Sequence, residues 1–535
     1  MSAQPARPKV PAAPPAAPAA PAAPIAAPRA AAPARAEWAV LRWLLPFALL
    51  HGLLYLAFVP PWQHYDEPTH FEYARMIAEE RRISAVGEVT RPTRWQIADS
   101  MNRLNFWRGQ PQPMVAWDVP FIGYDQRVHP PLYYLVVALP IRAALDQPVE
   151  IQLYAARAVS VLLYALSVAA VWRMAVALAP NSPAAQLALP LLYAAVPPFA
   201  AIMSAVNSDV MINFTGAALL LACVLLIRDG PRPAHLALAL LALAVGVLAK
   251  RTALMGAVPL ALALLWAFAR RPLPRLRWLW LALPAALLLA PLALRVDDSV
   301  PHFALGTRPW LSALDNAYLR LDLDRVVHSV SDLSNSGPVY PQLLIVAFLS
   351  FWATYGWGDV QLGTLWFWTM AAISAASLVG LVRWALVRPA AAPLWQRRAY
   401  WALIALAVTG LGAMVLRLHP LPPYGDYFYI PRGRYLYGIL PAVVALIGLG
   451  IGALLPAARR ELALPALAAL LVAADTLGWA GPLIWHYYGG PWPIAVLGAD
   501  KPGIFGLPPL YLLLAGAYLL ALAGAMRRLA AALRR

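Results

Sequence analysis

The chain is poor in most of what water-soluble enzymes rely on. It has one cysteine, and only 13% of its 535 residues are charged, against about a quarter in a soluble globular domain. A single cysteine, Cys223, excludes an intrachain disulfide and a multi-cysteine metal site. It lies inside an apolar run, where it reads as packing. Lysine occurs only at Lys9, Lys250 and Lys501, so each position invites a reason. No P-loop, dinucleotide fingerprint, HExxH or G-x-S-x-G elbow is present. Soluble nucleotide chemistry has no visible home here.

What remains is apolar: 61% hydrophobic residues and a mean hydropathy of +0.62. The apolar residues fall in runs of roughly 17–25, the length that crosses a bilayer as helix. In lipid each segment must close its own backbone hydrogen bonds, so the expected architecture is all-α, a polytopic transmembrane helix bundle. The net charge of +17 does not point to nucleic acid. The arginines sit in short clusters between apolar runs, as membrane topology requires.

Residues 1–36 form a Pro/Ala tract with basic punctuation and no continuous apolar core before Trp38. They read as a disordered cytoplasmic tail, not a cleavable signal peptide; docking on anionic lipid through the basic residues is the alternative. Residues 37–535 read as the transmembrane domain. Its expected spans lie at about 38–59, 153–172, 185–203, 209–227, 234–250, 252–269, 278–294, 363–386, 399–417, 435–455, 463–484 and 508–526.

Two further apolar pieces, 131–145 and 342–357, complicate the count. The first is short and broken by Pro140. If it does not cross, then Arg173, Arg228, Arg270, Arg271, Arg397, Arg398, Arg459, Arg460, Arg527 and Arg528 all face the cytoplasm. That gives about twelve spans, with both termini inside. Most acids then fall outside, and Asp475 reads as intramembrane. The outer loops at 61–152, 295–342 and 418–434 are too long to be plain connectors. The outer face is the expected working face.

Within the first outer loop, "YDEPTHFEYARMIAEERRIS" (65–84) predicts a helix. Pro68 suits its first turn, with Asp66 or Glu67 as cap. Phe71, Ala74, Ile77 and Ala78 make an apolar stripe, and Glu72, Arg75, Glu79 and Arg82 line the other side. That pattern describes an interfacial juxtamembrane helix; a cap with a solvated face is the plainer reading.

In "VHPPLYYLVVALP", His129 leads a Pro-Pro turn, and Tyr133 and Tyr134 suit the headgroup region. Asn207 and Asp209 start a span, where Asp209 is either a helix cap or an acid facing a cavity. Lys250 and Arg251 sit at an outer boundary against the positive-inside trend, where a cation either snorkels or meets an anion. Arg432 and Arg434, just ahead of Tyr435 and another span, repeat that logic. "FLSFWATYGWGDVQL", with Asp359, reads either as aromatic-belt packing or as a sugar-cavity lining.

Taken in order, "DEPTHFEYARMIAEERRIS", "HPPLYYLVVALP", "ARAVSVLLYALSVAAV", "NSDVMINF", "AKRTALMGAVP", "SFWATYGWG" and "GRYLYGILPAV" resemble the GT-C superfamily of integral-membrane glycosyltransferases. They are most like a bacterial inner-membrane family with the same order of elements. The set spans about 65–450. The resemblance implies transfer, with inversion, of a sugar from a polyprenyl-phosphate donor to a glycan, lipid or protein acceptor on the outer face. It implies Asp66 as general base, Glu67 as acceptor-orienting acid, and Lys250, Arg251, Arg432 and Arg434 holding the donor phosphate. His70, His129, Tyr133, Asn207, Asp209 and Tyr435 would line the substrate cavity. Some superfamily members use a divalent cation, for which Asp66, Glu67 and Asp209 are candidate ligands. Two other readings are a transporter of lipid-linked glycans, with Asp475 as its midplane charge, and a non-catalytic assembly partner.

Overall fold

The computed structural model describes residues 34–85, 87–107, 115–116, 118–270, 339–387, 392–417, 432–497 and 508–534. The expected tail (bar its last residues), the span at 278–294, almost all of the loop at 295–342 and residues 418–431 lie outside that set. Contacts divide the chain at Arg42/Trp43. The first unit, Met1–Arg42, is described only where helix α1 (Ala34–Phe58) begins. The site lies in the second unit, Trp43–Arg535.

The protein is an all-α helix bundle. Among the described residues eight helices are long and apolar enough to cross a membrane: Trp38–Phe58, Val149–Leu178, Asp209–Asp229, Arg251–Ala269, Thr364–Val387, Gly433–Leu454, Ala457–Tyr488 and Pro509–Leu533. These account for eight of the expected spans. The segment expected at 185–203 breaks at Pro197 and Pro198 into two short helices, Pro183–Ala194 and Pro197–Ile202. The one expected at 234–250 is Pro233–Ala249. That expected at 399–417 sits in Leu394–Arg417, whose first turn carries Gln396, Arg397 and Arg398. The piece at 342–357 does not become a span. A first two-stranded hairpin pairs β1 (Val115–Ala116) with β2 (Val119–Pro120), and helix Val339–Trp352 gives way to a second, β3 (Thr354–Tyr355) with β4 (Val360–Gln361).

Small residues set the tightest helix contacts, as packing within a bilayer favours. Thr364–Val387 packs against Leu440–Leu454, and a Cβ added at Gly380 would stand 1.9 Å from the Gly450 carbonyl oxygen. No side chain fits there. Within the bundle, His51 of α1 meets Asp475 at 2.8 Å and the Tyr164 hydroxyl at 2.8 Å. The Tyr55 hydroxyl donates to the other Asp475 oxygen at 2.7 Å. Asp475 is therefore buried and satisfied, as an intramembrane acid must be.

The segment expected as the first outer loop is folded. Helix α2 (Glu67–Glu80) lies under α3 (Arg91–Arg103) and beside α4 (Leu132–Ala143), which packs in turn on the helix Val149–Leu178. At 12 residues, α4 is about 18 Å long and does not span a core of about 30 Å. The polar side of α2 is not the expected solvated face, because residues 67–78 are all buried. Glu72 accepts two 2.7 Å bonds from Arg94 of α3. Tyr133 and Tyr134 are likewise not headgroup anchors: both are fully buried, and their hydroxyls turn inward to Ser160 and His70.

Candidate functional site

The site is assembled from chain segments that each end an apolar run. Asp66 is the residue before α2, in the left-handed region (φ 57°), and its side chain does not cap the helix. Its carbonyl takes the first intrahelical bonds, from His70 N and Thr69 Oγ1. The carboxylate instead meets Arg434 Nη2 at 2.5 Å. The Asp66 side chain keeps 17% of its surface exposed. Among the described residues Arg434 is its hydrogen-bond partner.

Arg434 lies in the turn Gly433–Ile439. Its guanidinium sits 3.8 Å from the centre of the Tyr65 ring and 5.2 Å from that of Tyr435. On the far side of Tyr435, Lys250 Nζ lies 5.6 Å from the ring centre; Arg432 lies 5.2 Å from Tyr65. The five side chains thus alternate cation and ring: Lys250, Tyr435, Arg434, Tyr65, Arg432. Ring faces attract cations, which lets three positive groups crowd where water is scarce. Arg434 Nε and Nη1 and Arg432 Nε are buried with no hydrogen-bond partner among the described residues.

Two acids face these three cations. Asp66 takes Arg434, and Asp209 takes Lys250. Asp209 Oδ1 pairs with Lys250, while its Oδ2 is buried without a partner among the described residues. Asn207 supplies the local cap, its Oδ1 accepting from Asp209 N at 2.9 Å. Lys250 therefore meets an anion and does not snorkel. The Tyr133 hydroxyl accepts from Asn207 N, and the Asn207 amide donates to the Tyr65 carbonyl. That ties α4, the start of the helix Asp209–Asp229 and the Asp66 turn together.

His70 is buried, bonded to the Tyr134 hydroxyl at 2.7 Å and stacked 6.3 Å from His129. Burial holds its pKa well below the usual histidine value, and His129, Lys250 and Arg434 add to the effect. It stays neutral. His64 is likewise pushed down, by burial and by Arg157. A cavity of about 40 Å³ lies among His64, Tyr65, Thr354, Gly358, Arg432 and Arg434, room for a few waters.

Eleven of the twelve expected site residues fall in or next to this cluster; Arg251 makes no described contact with it. Glu67 does not face the cavity at all. Its carboxylate is fully buried and accepts four bonds: from Arg157 Nε at 2.8 Å, Arg157 Nη2 at 2.6 Å, Trp62 N at 3.1 Å and Val206 N at 3.1 Å. No lone pair is left for an acceptor, so Glu67 holds the Asp66 turn in place. The three acids considered as metal ligands are likewise apart, each bound to its own cation. Among the described residues no group of three His, Cys, Asp or Glu comes together as a metal site would require.

Sequence reasoning missed Tyr65, His64 and Arg157; for the β3–β4 turn it left aromatic-belt packing and a sugar-cavity lining both open. Trp357 in that turn stacks on Tyr65 with ring centres 4.9 Å apart. Gly358 (φ +99°) leaves the room Arg432 occupies, since a Cβ there would stand 2.7 Å from Arg432 Nη1. "YGWG" was the visible signal, a glycine-flanked aromatic beside a span.

The class that follows from these elements is a polytopic membrane protein whose segment 61–152 packs beside a buried cationic cluster. The family model described as "Predicted membrane protein (DUF2142)" matches residues 49–443, and the chain belongs to that family. No curated protein matches the sequence. Among solved structures the chain is similar to arabinosyltransferase EmbB from Mycobacterium smegmatis, at 14% identity and a TM-score of 0.43. The match covers 92% of this chain and 40% of that one. At that score the likeness carries no argument about activity.

Proposed function

We propose that the protein is a membrane glycosyltransferase that takes a sugar from a polyprenyl-phosphate donor on the outer face of a bacterial inner membrane. The observation that carries this reading is the Asp66–Arg434 pair within its surplus of cations. Lys250, Arg432 and Arg434 outnumber Asp66 and Asp209, and three guanidinium nitrogens are buried without partners. Burying unpaired donors is costly. An anionic group with several acceptor oxygens relieves that cost, and a phosphate is such a group. The ordered motifs that resemble the GT-C superfamily lend the same reading a reaction.

In that reaction the acceptor hydroxyl gives its proton to Asp66 as its oxygen attacks the anomeric carbon. The bond from that carbon to the phosphate oxygen breaks, and its electron pair leaves with polyprenyl phosphate. Configuration at the carbon inverts. Asp66 acts as general base, and the cations stabilise the negative charge that grows on the leaving oxygen. A phosphate engaging Arg434 competes with Asp66 for it, which frees the carboxylate only when donor is bound. His70 and Tyr133 position the segments that carry these groups.

Purified Asp66→Asn protein tests the reading through sugar transfer from a polyprenyl-phosphate donor to membrane-fraction acceptors, scored by mass spectrometry. Loss of transfer with donor binding retained is expected; near-normal transfer overturns the base assignment. A transport role draws no support from Asp475, which is fully buried and locked by His51 and Tyr55.

A further inference from the structure

The β3–β4 hairpin has two sides. One side belongs to the cationic cluster, through Trp357 on Tyr65 and Gly358 against Arg432. The other forms a wall of a second, larger recess of about 620 Å³, within the range of small-molecule sites. Asp359 and Gln361 line this wall; Pro482, Trp485, His486 and Trp492 line the opposite one. The two recesses share one turn of chain. Gly356 at its head approaches Tyr487 on one strand of contacts and Asp359 on the other.

The chemistry of the second recess differs from that of the first. Its described lining contains no lysine or arginine, unlike the cationic cluster. Its polar groups are Gln361 and a 2.9 Å pair between Asp359 Oδ2 and His486 Nε2. The Trp485 indole is 62% exposed, while Trp492 is fixed by edge contacts to Phe58 and Trp479. The backbone of that wall bends at a π-helical turn, Trp479–Leu483, with Pro482 inside it. Such turns are rare and concentrate at functional sites. A lipid tail gains nothing from a wall carrying a carboxylate and an amide. Flat indoles facing acid and amide groups suit a ring with apolar C–H faces and hydroxyl edges.

We infer that this recess is a binding site for a neutral saccharide, the acceptor of the reaction proposed above. The inference rests on that reading for the word acceptor, but the binding site stands on its own chemistry. Charge then sorts the two substrates. The phosphate-bearing donor goes to the cations, the neutral acceptor to the acid and indoles, and the turn 355–360 lies between them.

The test uses the full chain in lipid nanodiscs, with saturation-transfer NMR against a panel of neutral trisaccharides of the common hexoses and pentoses. Binding of at least one panel member to the wild type is expected. Trp485→Ala and Gln361→Ala should each weaken it about tenfold, while Lys250→Met leaves it unchanged. Asp359→Asn, which keeps the shape of the wall, should weaken it less. No panel binding to the wild type overturns the site, as does binding that survives both alanine substitutions. Saccharide binding lost in Lys250→Met but kept in Trp485→Ala also overturns it, by moving the sugar to the cationic cluster. The readout needs no turnover. If Asp66→Asn transfers normally while Trp485→Ala loses saccharide, the base assignment fails and the binding site stands.

Discussion

Asp66 and Arg434 are 368 positions apart in the chain and form a salt bridge 2.5 Å long. Asp66 is 17% and Arg434 9% exposed in their side chains, so the pair is neither a surface contact nor a sealed core bridge. Arg434 also borders the small cavity beside Tyr65 and Arg432. Asp66 is held there by a left-handed backbone that directs its carbonyl into α2 and its carboxylate out of it. Replacing Asp66 by asparagine keeps that turn, since asparagine tolerates the left-handed region well. Transfer should fall by at least about a hundredfold, with expression and thermal unfolding near those of the wild type. The check is turnover and melting measured on the same preparation.

Lys250→Met and Arg434→Met each remove one cation from the alternating array. Donor KM should rise more than acceptor KM in both, and the two effects should not add, because the cations share rings and acids. Steady-state kinetics with each substrate varied in turn gives the answer. An unchanged donor dependence removes phosphate from the cluster.

Glu67 and Arg157 form a pair with no exposed surface. Glu67→Gln leaves Arg157 charged and buried, a change that costs about 3–5 kcal/mol when one partner of such a pair is lost. The expected result is a lower melting temperature with residual transfer activity in the protein that stays folded. A Glu67→Gln variant as stable as the wild type would show that the turn is held by other contacts.

His64 and His70 are both held well below the usual histidine pKa in the folded protein. The unfolded chain takes up protons there near pH 6.5, while the folded chain does not. Above that pH neither state is charged and the full stability is present. As pH falls below about 6.5 the unfolded state gains and stability drops, until the folded pKa is reached. The difference in melting temperature between pH 7.5 and pH 5 should therefore shrink in His70→Gln, where one of the two groups is gone.

Topology has its own test. Cysteines placed at the exposed positions 99 and 147, with Cys223 replaced, should both react with an impermeant thiol reagent added from outside. Labelling of position 147 from the cytoplasmic side alone would make α4 a span after all.

Much of this was legible in the sequence, for a physical reason. In an apolar chain a charged residue at the end of a run needs a cause, so Asp66, Asp209, Lys250, Arg432 and Arg434 stood out without any knowledge of their partners. Pairing was not legible. Glu72 read as water-facing because its partner, Arg94, belongs to another helix 22 positions on. Arg157 sits inside a run that scores as a plain span, and its counter-charge lies 90 positions earlier. His51 was hidden in the same way. Helix period tells which side of a helix is polar; it does not tell what that side touches. Tyr65 was overlooked because a tyrosine beside a span is ordinary at a membrane boundary, and only the geometry reveals an arginine 3.8 Å above its ring.

The His51–Asp475 contact joins residues 424 positions apart, and the ribosome makes them in that order. At roughly 5–20 residues per second, the first span waits on the order of 20–80 seconds in the bilayer before its partner exists. Throughout that interval His51 has an imidazole in hydrocarbon with no carboxylate to meet. The newborn chain can shelter the ring by sliding α1 toward the headgroups or by borrowing the Tyr164 hydroxyl, which emerges 113 residues after it. The second of these makes Tyr164 a temporary host.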